Sequence, residues 1–352
     1  MQDSRVAFLK TLLGTPGPSG DEIGAARVWR AEAKTFADKV WGDVRGNSFA
    51  QLDGDGPRVL LAGHIDEIGV MISHIDENGF LFFAPVGGWD AQVLVGQRVR
   101  LLGQQGEVVG VIGKKPIHLM KGEEREKAST IEGMWIDIGV KNREEAQQHV
   151  AVGTVGVIDG APLELPNGRI VSRSLDNRIG AFVVLEALRL LSEKRPRAVV
   201  VAVATTQEET SFAGATTAAY SFDPQVAIAV DVTFATDHPE SNQRQHNDVK
   251  LGGGPVLARG AANTPLIYQR LVDIANNEQI PFSLQITPRY TGTDADAIHM
   301  IRGGVATGVI SIPNRYMHSP NEMVDLADVE NAARLIAAFV SSIESASEFI
   351  PE

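Results

Sequence analysis

Two histidines and five acidic residues of the sequence lie where they could bind metal ions or move protons. Each lies shortly after an apolar run or directly before a helical pattern. The seven residues are His64, Asp66, Asp176, Glu208, Glu209, Asp231 and His318. Ligands of open α/β sheets bind beyond the carboxyl ends of the strands, so these side chains are expected to meet there. Imidazole and carboxylate groups without a thiolate suit zinc, cobalt or manganese, and the pattern predicts a metal-dependent hydrolase.

The spacing within two of these segments indicates different roles for neighbouring residues. His64 and Asp66 point to the same side of an extended segment, so Asp66 can accept a hydrogen bond from the imidazole and fix its tautomer. Glu208 and Glu209 point in different directions, so one can bind metal while the other acts as a general base. Taken singly, a His-x-Asp is more often a surface pair, and paired glutamates usually mark a solvated strand end. Agreement among four strand ends favours the metal site.

These side chains require a sheet whose strands are joined by helices. From residue 167 onward, strand patterns alternate with helical patterns, which predicts an α/β fold with a mostly parallel central sheet covered by helices. The predicted strands of this sheet are residues 59–62, 198–204, 226–230, 282–286 and 305–312. The predicted helices are residues 5–13, 21–36, 177–193, 216–220, 265–277, 295–300 and 326–344.

Residues 67–166 have a different pattern, in which short apolar runs alternate with glycine and helical signals are nearly absent. The runs are residues 95–102, 107–112, 134–140 and 154–158. This spacing predicts a small β-barrel. The charged stretch 113–127 is predicted to be a mobile loop. The simplest organisation is one catalytic domain made of residues 1–66 and 167–352, with the β-rich residues 67–166 inserted into it.

The composition is that of a globular protein with an acidic surface. The 352 residues carry a formal net charge of −12, and the densest basic cluster is the pair Lys114 and Lys115, which disfavours nucleic acid as a partner. The absence of cysteine excludes disulfides and thiolate metal ligands. The sequence has no signal-peptide pattern and no run near the ~20 apolar residues of a membrane span. We expect no membrane association and a cytoplasmic location.

Six short motifs resemble, in order, those of the tetrahedral aminopeptidases, metallopeptidase family forty-two. This family includes glutamyl, leucyl, lysyl and deblocking enzymes. The motifs are GHIDEIG at residues 63–69, SLDNR at 174–178, TQEET at 206–210, AVDV at 229–232, TGTDA at 291–295 and IPNRYMHS at 312–319. The sequences PSG at 18–20 and GN at 46–47 also match, so the resemblance covers essentially the whole chain.

The resemblance implies a metal ligand set. Asp176 would bridge two divalent metal ions, zinc or cobalt with manganese as a further possibility. His64 and Asp231 would complete one site, and Glu209 and His318 would complete the other.

The resemblance also implies the remaining roles and the assembly. Glu208 would be the general base and Asp66 the partner of His64. The substrates would be peptides with a free amino end. The fold would be zinc-exopeptidase-like, and the inserted barrel would be PDZ-like and would form dimers that assemble into a hollow tetrahedral dodecamer.

Several alternatives stay open from the sequence. The same two-metal site could belong to an N-deacylase or a carboxypeptidase-like enzyme. An alternative of another class is an oligomeric scaffold with vestigial chemistry, and the intact Glu208 argues against it. A glycosidase would need two flanking carboxylates and no metal cluster. Asp294 is predicted to cap a helix and line the site. We expect a neutral or leucyl preference.

Overall fold

The computed structural model of the protein describes residues 1–351, and this part of the chain contains eleven α-helices and seventeen strands. The helices are α1 (Asp3–Gly14), α2 (Ile23–Ala33), α3 (Ala91–Leu94), α4 (Arg143–Gln147), α5 (Leu175–Glu193), α6 (Glu208–Ser211), α7 (Ala213–Phe222), α8 (Gln243–His246), α9 (Pro265–Asn277), α10 (Ala295–Ile298) and α11 (Leu326–Ser341). The strands are β1 (Lys39–Gly42), β2 (Ser48–Leu52), β3 (Arg58–His64), β4 (Gly69–Ile75), β5 (Leu81–Val86), β6 (Arg98–Gly103), β7 (Gly106–Lys114), β8 (Met134–Asp137), β9 (Val155–Ile158), β10 (Leu163–Leu165), β11 (Arg169–Ser172), β12 (Val199–Thr205), β13 (Val226–Phe234), β14 (Val256–Gly260), β15 (Ser283–Thr287), β16 (Ala306–Asn314) and β17 (Glu322–Asp325).

The central sheet has eight strands in the order β1-β2-β12-β3-β13-β16-β14-β15. Its four middle strands, β12, β3, β13 and β16, are all parallel, and their carboxyl ends lie along one edge. The strands β1, β2 and β14 run antiparallel to a neighbour. The predicted α/β fold with a mostly parallel sheet is confirmed.

Helices cover both faces of this sheet, because the middle strands are apolar on both sides. In β3, Leu61 packs into a core cluster that includes Phe182 of α5 and Phe339 of α11. The neighbouring residue Leu60 faces the opposite side and packs into the cluster that includes Ala218 of α7. Alternate residues of a strand point to opposite faces, so a continuous apolar run of this kind is expected in a buried strand.

Two glycines bring the start of α5 against the strands that carry the site. A Cβ atom on Gly63 would lie 2.5 Å from the carbonyl carbon of Gly180, and one on Gly180 would lie 2.6 Å from the carbonyl oxygen of Val230. A side chain at either position would therefore push α5 away from β3 and β13. This close approach places Asp176, at the first turn of α5, beside His64 at the end of β3.

The predicted β-barrel is present and closed, with the strand order β4-β5-β8-β7-β6-β9 and antiparallel neighbours. Its core contains Val70, Ile72, Leu101 and Ile136, and its strands lie between residues 69 and 158. The division of the chain at residues 66 and 167 stays a prediction, as does the mobility of residues 113–127. None of the described helices is both long and apolar enough to cross a membrane.

Several predicted boundaries differ from the observed ones. The predicted helix 21–36 is shorter at both ends, because Glu22 has φ −90° and ψ 1° before the first turn and residues 34–36 form turns. The predicted helix 216–220 is instead the ten-residue α7, which starts after Phe212 in a left-handed conformation. The strands that were not predicted are β1, β2, β4, β5, β10, β11, β14 and β17.

Candidate metal centre

All seven predicted site residues lie together at the carboxyl edge of the four middle strands. His64 is the last residue of β3, and Asp231 is the sixth residue of β13. Glu208 and Glu209 begin α6 directly after β12, and Asp176 is the second residue of α5. The remaining two side chains belong to the segments that follow β3 and β16. Their positions are Asp66 and His318.

Five of these residues form two groups of potential metal ligands that share one carboxylate. The first ligand group is His64, Asp176 and Asp231, and the second ligand group is Asp176, Glu209 and His318. Within each group the ligand atoms lie within 4.8 Å of one another. Asp176 turns Oδ1 toward His64 and Oδ2 toward His318, as a carboxylate that bridges two ions would.

The separations between donor atoms fit bound ions. His64 Nε2 lies 3.3 Å from Asp176 Oδ1 and 3.8 Å from Asp231 Oδ1. In the second group, His318 Nε2 lies 3.3 Å from Asp176 Oδ2 and 3.7 Å from Glu209 Oε2. Ligand bonds of about 2.0–2.2 Å around a tetrahedral ion place two donor atoms about 3.3–3.6 Å apart. The nitrogen and oxygen donors suit zinc, cobalt or manganese.

The carboxylates of the site lie close together and have raised pKa values, so a positive charge beside them would be stabilising. Burial raises the pKa of Glu208 to about 11 and that of Glu209 to about 8, and nearby carboxylates add to both shifts. Burial, with the charge of Asp176 nearby, also raises the pKa of Asp231 well above its ordinary value. Divalent cations would replace the protons that these groups otherwise hold, which is the linkage expected of a metal site.

The same negative charges also raise the pKa values of the two imidazoles, because they favour the protonated, positively charged ring. Burial alone would lower the pKa of His64, but Glu208, Asp176 and Asp66 outweigh it and raise the pKa well above its ordinary value. A hydrogen bond to Asp176 raises the pKa of His318 to about 9. Burial would raise the pKa of Asp176, but its bonds to both histidines hold the pKa below its ordinary value.

Glu208 lies beside the ligands and belongs to neither ligand group. Its Oε2 atom is 3.6 Å from His64 Nε2, and its side chain is nearly buried. The backbone N–H groups of Glu208 and Glu209 each donate to one oxygen of Asp66, at 3.2 Å in both cases. The residue before them, Gln207, has a left-handed φ of 58°, which turns the chain between β12 and α6. Asp66 therefore holds the pair of glutamates through their backbone.

Asp66 also lies against His64, as the sequence predicts, although its carbonyl is the closer atom. The Nδ1 atom of His64 is 3.3 Å from the backbone oxygen of Asp66 and 3.4 Å from its carboxylate. Both contacts favour a hydrogen on Nδ1, which leaves Nε2 to face Asp176. Asp66 is completely buried, so these contacts are shielded from water.

The β-barrel supplies a partner for the other histidine. The Nδ1 atom of His318 lies 2.7 Å from the carbonyl oxygen of Gly88, in the segment between β5 and α3. A hydrogen on Nδ1 donated to this carbonyl leaves Nε2 free for the second ligand group. A Cβ atom on Gly88 would lie 3.3 Å from His318 Nδ1, so the contact leaves little space. Gly88 is 230 residues from His318 and was not among the predicted site residues.

A buried acid connects two of the ligands, and the sequence analysis also did not identify it. Glu322 accepts hydrogen bonds from the backbone N–H of Asp176 at 2.8 Å and from that of His318 at 2.9 Å. Burial, with the charge of Asp176, raises the pKa of Glu322 well above its ordinary value. An acid four residues beyond a histidine carries no recognisable spacing signal in the sequence.

Asp294 occupies the predicted position before a helix but does not cap it with its side chain. Its Oδ2 atom instead accepts a hydrogen bond from Thr205 Oγ1 at 2.5 Å, and Oδ1 has no partner within the described residues. Burial raises the pKa of Asp294 to about 6. The other six histidines belong to neither ligand group. They are His74, His118, His149, His238, His246 and His299.

The site opens into a cavity of about 390 Å³. Besides the ligands and Glu208, its lining is formed mainly by apolar and uncharged polar side chains. These include Phe212, Phe234, Gln285, Thr293 and Met317. A larger cavity of about 1120 Å³ lies at the opposite ends of the strands, near Arg58 and Arg302. Both arginines form ion pairs with Asp223, and no ligand group lies there among residues 1–351.

Comparison with known proteins gives a consistent result over nearly the whole chain. The family described as M42 glutamyl aminopeptidase matches residues 46–335. The lysyl aminopeptidase of Pyrococcus furiosus is 36% identical over 341 residues, which cover 96% of this chain and 97% of that protein. Two solved structures are also closely similar.

The first is the TET aminopeptidase from the marine sediment archaeon Thaumarchaeota archaeon SCGC AB-539-E09. It has a TM-score of 0.93 and 36% identity and covers 97% of each chain. The second is the Pyrococcus horikoshii TET1 peptidase, which is described as assembling into a tetrahedron or a large octahedral shell. It has a TM-score of 0.85 and 30% identity, and the match covers 96% of this chain and all of that one.

Proposed function

Because the chain belongs to the M42 glutamyl aminopeptidase family of peptidases, we propose that it removes residues from the free amino ends of peptides with two bound divalent ions. The observation that carries the proposal is the pair of ligand groups that share Asp176, with an unused carboxylate, Glu208, beside them. An acid that binds no ion but faces the same space as the ligands has the position that a general base needs.

The proposed ligands are those of the two groups described above. His64 and Asp231 would hold one ion, Glu209 and His318 the other, and Asp176 both. The chemistry that such ions supply is polarisation of the scissile carbonyl and acidification of the attacking water. Zinc or cobalt suits these donors, and manganese is a further possibility.

The protein's own residues would manage the proton. Glu208 would take a proton from the attacking water and return it to the leaving amine. Its high pKa in the described structure reflects burial and neighbouring carboxylates, and bound cations would lower that pKa by attraction. Asp66 would keep Glu208 in place through the backbone N–H and would orient His64 from the other side.

Membership of an aminopeptidase family supports selection of a free amino end. The lysyl aminopeptidase named above acts at amino ends, which supports the same reading.

The lining of the cavity supports a preference for neutral first residues such as leucine. A glutamyl side chain would need an arginine or lysine, and a lysyl side chain would need an acid beyond the metal ligands. The lining residues among positions 1–351 supply neither, and Phe212, Phe234 and Met317 offer apolar contacts instead.

The structural relatives support an assembly of many copies. The Pyrococcus horikoshii relative forms a tetrahedron or a larger shell, and we propose that this chain forms a tetrahedral dodecamer from dimers made by the β-barrel. The inserted domain would be residues 67–166. A cytoplasmic location and the absence of a nucleic-acid partner stay predictions from the sequence.

A panel of aminoacyl p-nitroanilides carrying Leu, Ala, Glu and Lys tests the function. Each substrate is assayed with chelator, with cobalt or zinc restored, and beside an N-acetylated leucyl control. We expect chelator-sensitive cleavage of the free-amine substrates, fastest for leucine. Failure to cleave any free-amine substrate after metal is restored would refute the proposal. Release of acetate, without p-nitroaniline, from the acetylated substrate alone would favour an N-deacylase.

A further inference from the structure

Glu322 is a buried acid whose two oxygen atoms are both used by the backbone of metal ligands. Oε2 accepts from the N–H of Asp176 at 2.8 Å, and Oε1 accepts from the N–H of His318 at 2.9 Å. The residue is 2% exposed. Neither of these bonds is to an arginine or lysine side chain, and burying a carboxylate without an ion pair is costly.

The position of Glu322 follows from the small sheet that joins the two ligand segments. Glu322 begins β17 and pairs with Ser172, the last residue of β11. The chain after β11 leads within four residues to Asp176, and His318 lies four residues before Glu322. One side chain at this corner can therefore reach both segments.

The backbone of both ligand segments is irregular, so the N–H groups of Asp176 and His318 have no acceptor within a regular helix or strand. Asp176 has φ −78° and ψ 107°, which is outside the helical range although it lies at the start of α5. His318 has a left-handed φ of 58°, and Tyr316 has one of 64°. The left-handed conformations of His318 and Tyr316 persist only when surrounding contacts hold them. Glu322 supplies a hydrogen bond to each ligand residue at these irregular positions.

We propose that Glu322 is a positioning residue that fixes Asp176 and His318 relative to one another and thereby sets the affinity of the second ligand group for its ion. The inference rests on the proposed two-metal function. Two of the three ligands in the second group depend on Glu322, compared with one of three in the first group. Loss of Glu322 therefore lowers the affinity of the second ligand group for its ion more than that of the first.

Two variants test whether the effect of Glu322 depends on the hydrogen bonds it accepts or on its negative charge. Glu322→Gln has nearly the same size but replaces one acceptor with an NH₂ group that faces a backbone donor. Glu322→Asp keeps the charge but is one methylene shorter, so it cannot span both N–H groups. A matched control is Asp328→Asn, because Asp328 is also a buried acid that accepts two backbone N–H bonds, from Gly252 at 2.8 Å and Gly254 at 2.7 Å, away from both ligand groups.

The experiment is calorimetric titration of metal-stripped full-length protein with cobalt(II), with circular dichroism to confirm folding. We expect the wild type and Asp328→Asn each to bind two ions per chain, and the affinity for each ion to be the same in the two proteins. In both Glu322 variants we expect one of the two ions to lose about 10- to 100-fold in affinity, the range measured when groups that orient ligands are removed. The other ion should lose clearly less.

Each result distinguishes this inference from the proposed function. Wild-type affinities for both ions in either Glu322 variant, or equal weakening of the two ions, would overturn the positioning role while leaving the two-metal function intact. A wild-type protein that binds fewer than two ions would refute the two-metal function and the inference with it. If Glu322→Gln does not fold, Glu322→Asp supplies the same comparison.

Discussion

Replacing Glu208 with glutamine should slow catalysis strongly without removing either ion. Glu208 Oε2 lies 3.6 Å from His64 Nε2, and Glu208 belongs to neither ligand group. The bond from its backbone N–H to Asp66 does not involve the side chain and would remain. The variant therefore keeps the shape of the site and loses the carboxylate that accepts the proton.

The magnitude follows from the role of a general base. Such groups contribute about 10²- to 10⁴-fold to the rate, which corresponds to about 2.7–5.4 kcal/mol in the activation free energy. We expect kcat for leucyl p-nitroanilide to fall by that factor, with a much smaller change in KM. Metal content after dialysis should stay at two ions per chain.

The neighbouring residue provides the matched control. Glu209→Gln makes the same chemical change one residue later, but Glu209 is a member of the second ligand group, 3.7 Å from His318 Nε2. This variant should lose the second ion, and excess cobalt should restore part of its activity. Added metal should not rescue Glu208→Gln.

The assay combines steady-state kinetics with metal analysis of both variants. Glu208→Gln that retains more than about a tenth of wild-type kcat would refute its role as the base. Metal loss from Glu208→Gln equal to that from Glu209→Gln would show that Glu208 is a ligand, and the assignment of the two glutamates would be wrong.

Three further predictions concern the metal, the β-barrel and pH. Chelation should lower the thermal midpoint, because each ion at a hundredfold excess over its Kd stabilises the folded state by about 2.7 kcal/mol; an unchanged midpoint in differential scanning calorimetry would contradict bound ions. Gly88→Ala should reduce kcat/KM about tenfold or more by displacing His318, whereas Gly303→Ala, with no atom within 4 Å of the added Cβ, should not; equal effects in the p-nitroanilide assay would contradict the Gly88 contact. Burial raises the pKa of Asp328 to about 6 from an ordinary 3.8, so between these values the folded state binds more protons than the unfolded state. The contribution of Asp328 to the free energy of unfolding should therefore fall as pH rises from about 4 to 6. The thermal midpoints of wild type and Asp328→Asn, plotted against pH, should diverge over that window and run parallel above it. Parallel plots throughout would contradict the raised pKa of Asp328.

The strands that carry the ligands were predictable because they are buried on both faces. Continuous apolar runs end where polar residues begin, and in parallel strands those ends meet at one edge. The structure places His64 at the last residue of β3, two residues beyond the predicted end of the run at residue 62. Position along the strand was thus enough to bring the acids and histidines together.

The strands that were not predicted have weaker local patterns. In β4, the apolar residues Val70 and Ile72 alternate as expected, but the pairing register shifts between Ile72 and His74, and the next buried apolar residue is Ile75. An irregularity of this kind breaks the period of two that sequence analysis relies on. Strand β1 has four residues and lies at the edge of the central sheet, so it has no continuous apolar run.

The residues that orient the ligands could not be found from the sequence for a different reason. Glu322 and the carbonyl of Gly88 act on ligands through backbone atoms or across a large sequence separation. A carbonyl oxygen is present at every residue, so sequence carries no sign of which one faces His318. Such contacts are set by how the barrel and the sheet pack together, which is a property of the assembled fold.

The same packing explains how the chain can leave the sheet for a barrel without disturbing the site. Glu67 comes shortly before the barrel strands and Arg173 comes after β11, and these two side chains form a buried ion pair. Arg178 donates to the same carboxylate at 2.7 Å and to the carbonyl oxygen of Ile65 at 3.1 Å. The segments before and after the barrel strands are thereby fixed to each other and to the segment that carries His64. Removing Glu67 would leave two buried guanidinium groups without their acid, and we expect denaturant titration to show a loss of about 3–5 kcal/mol in the free energy of unfolding.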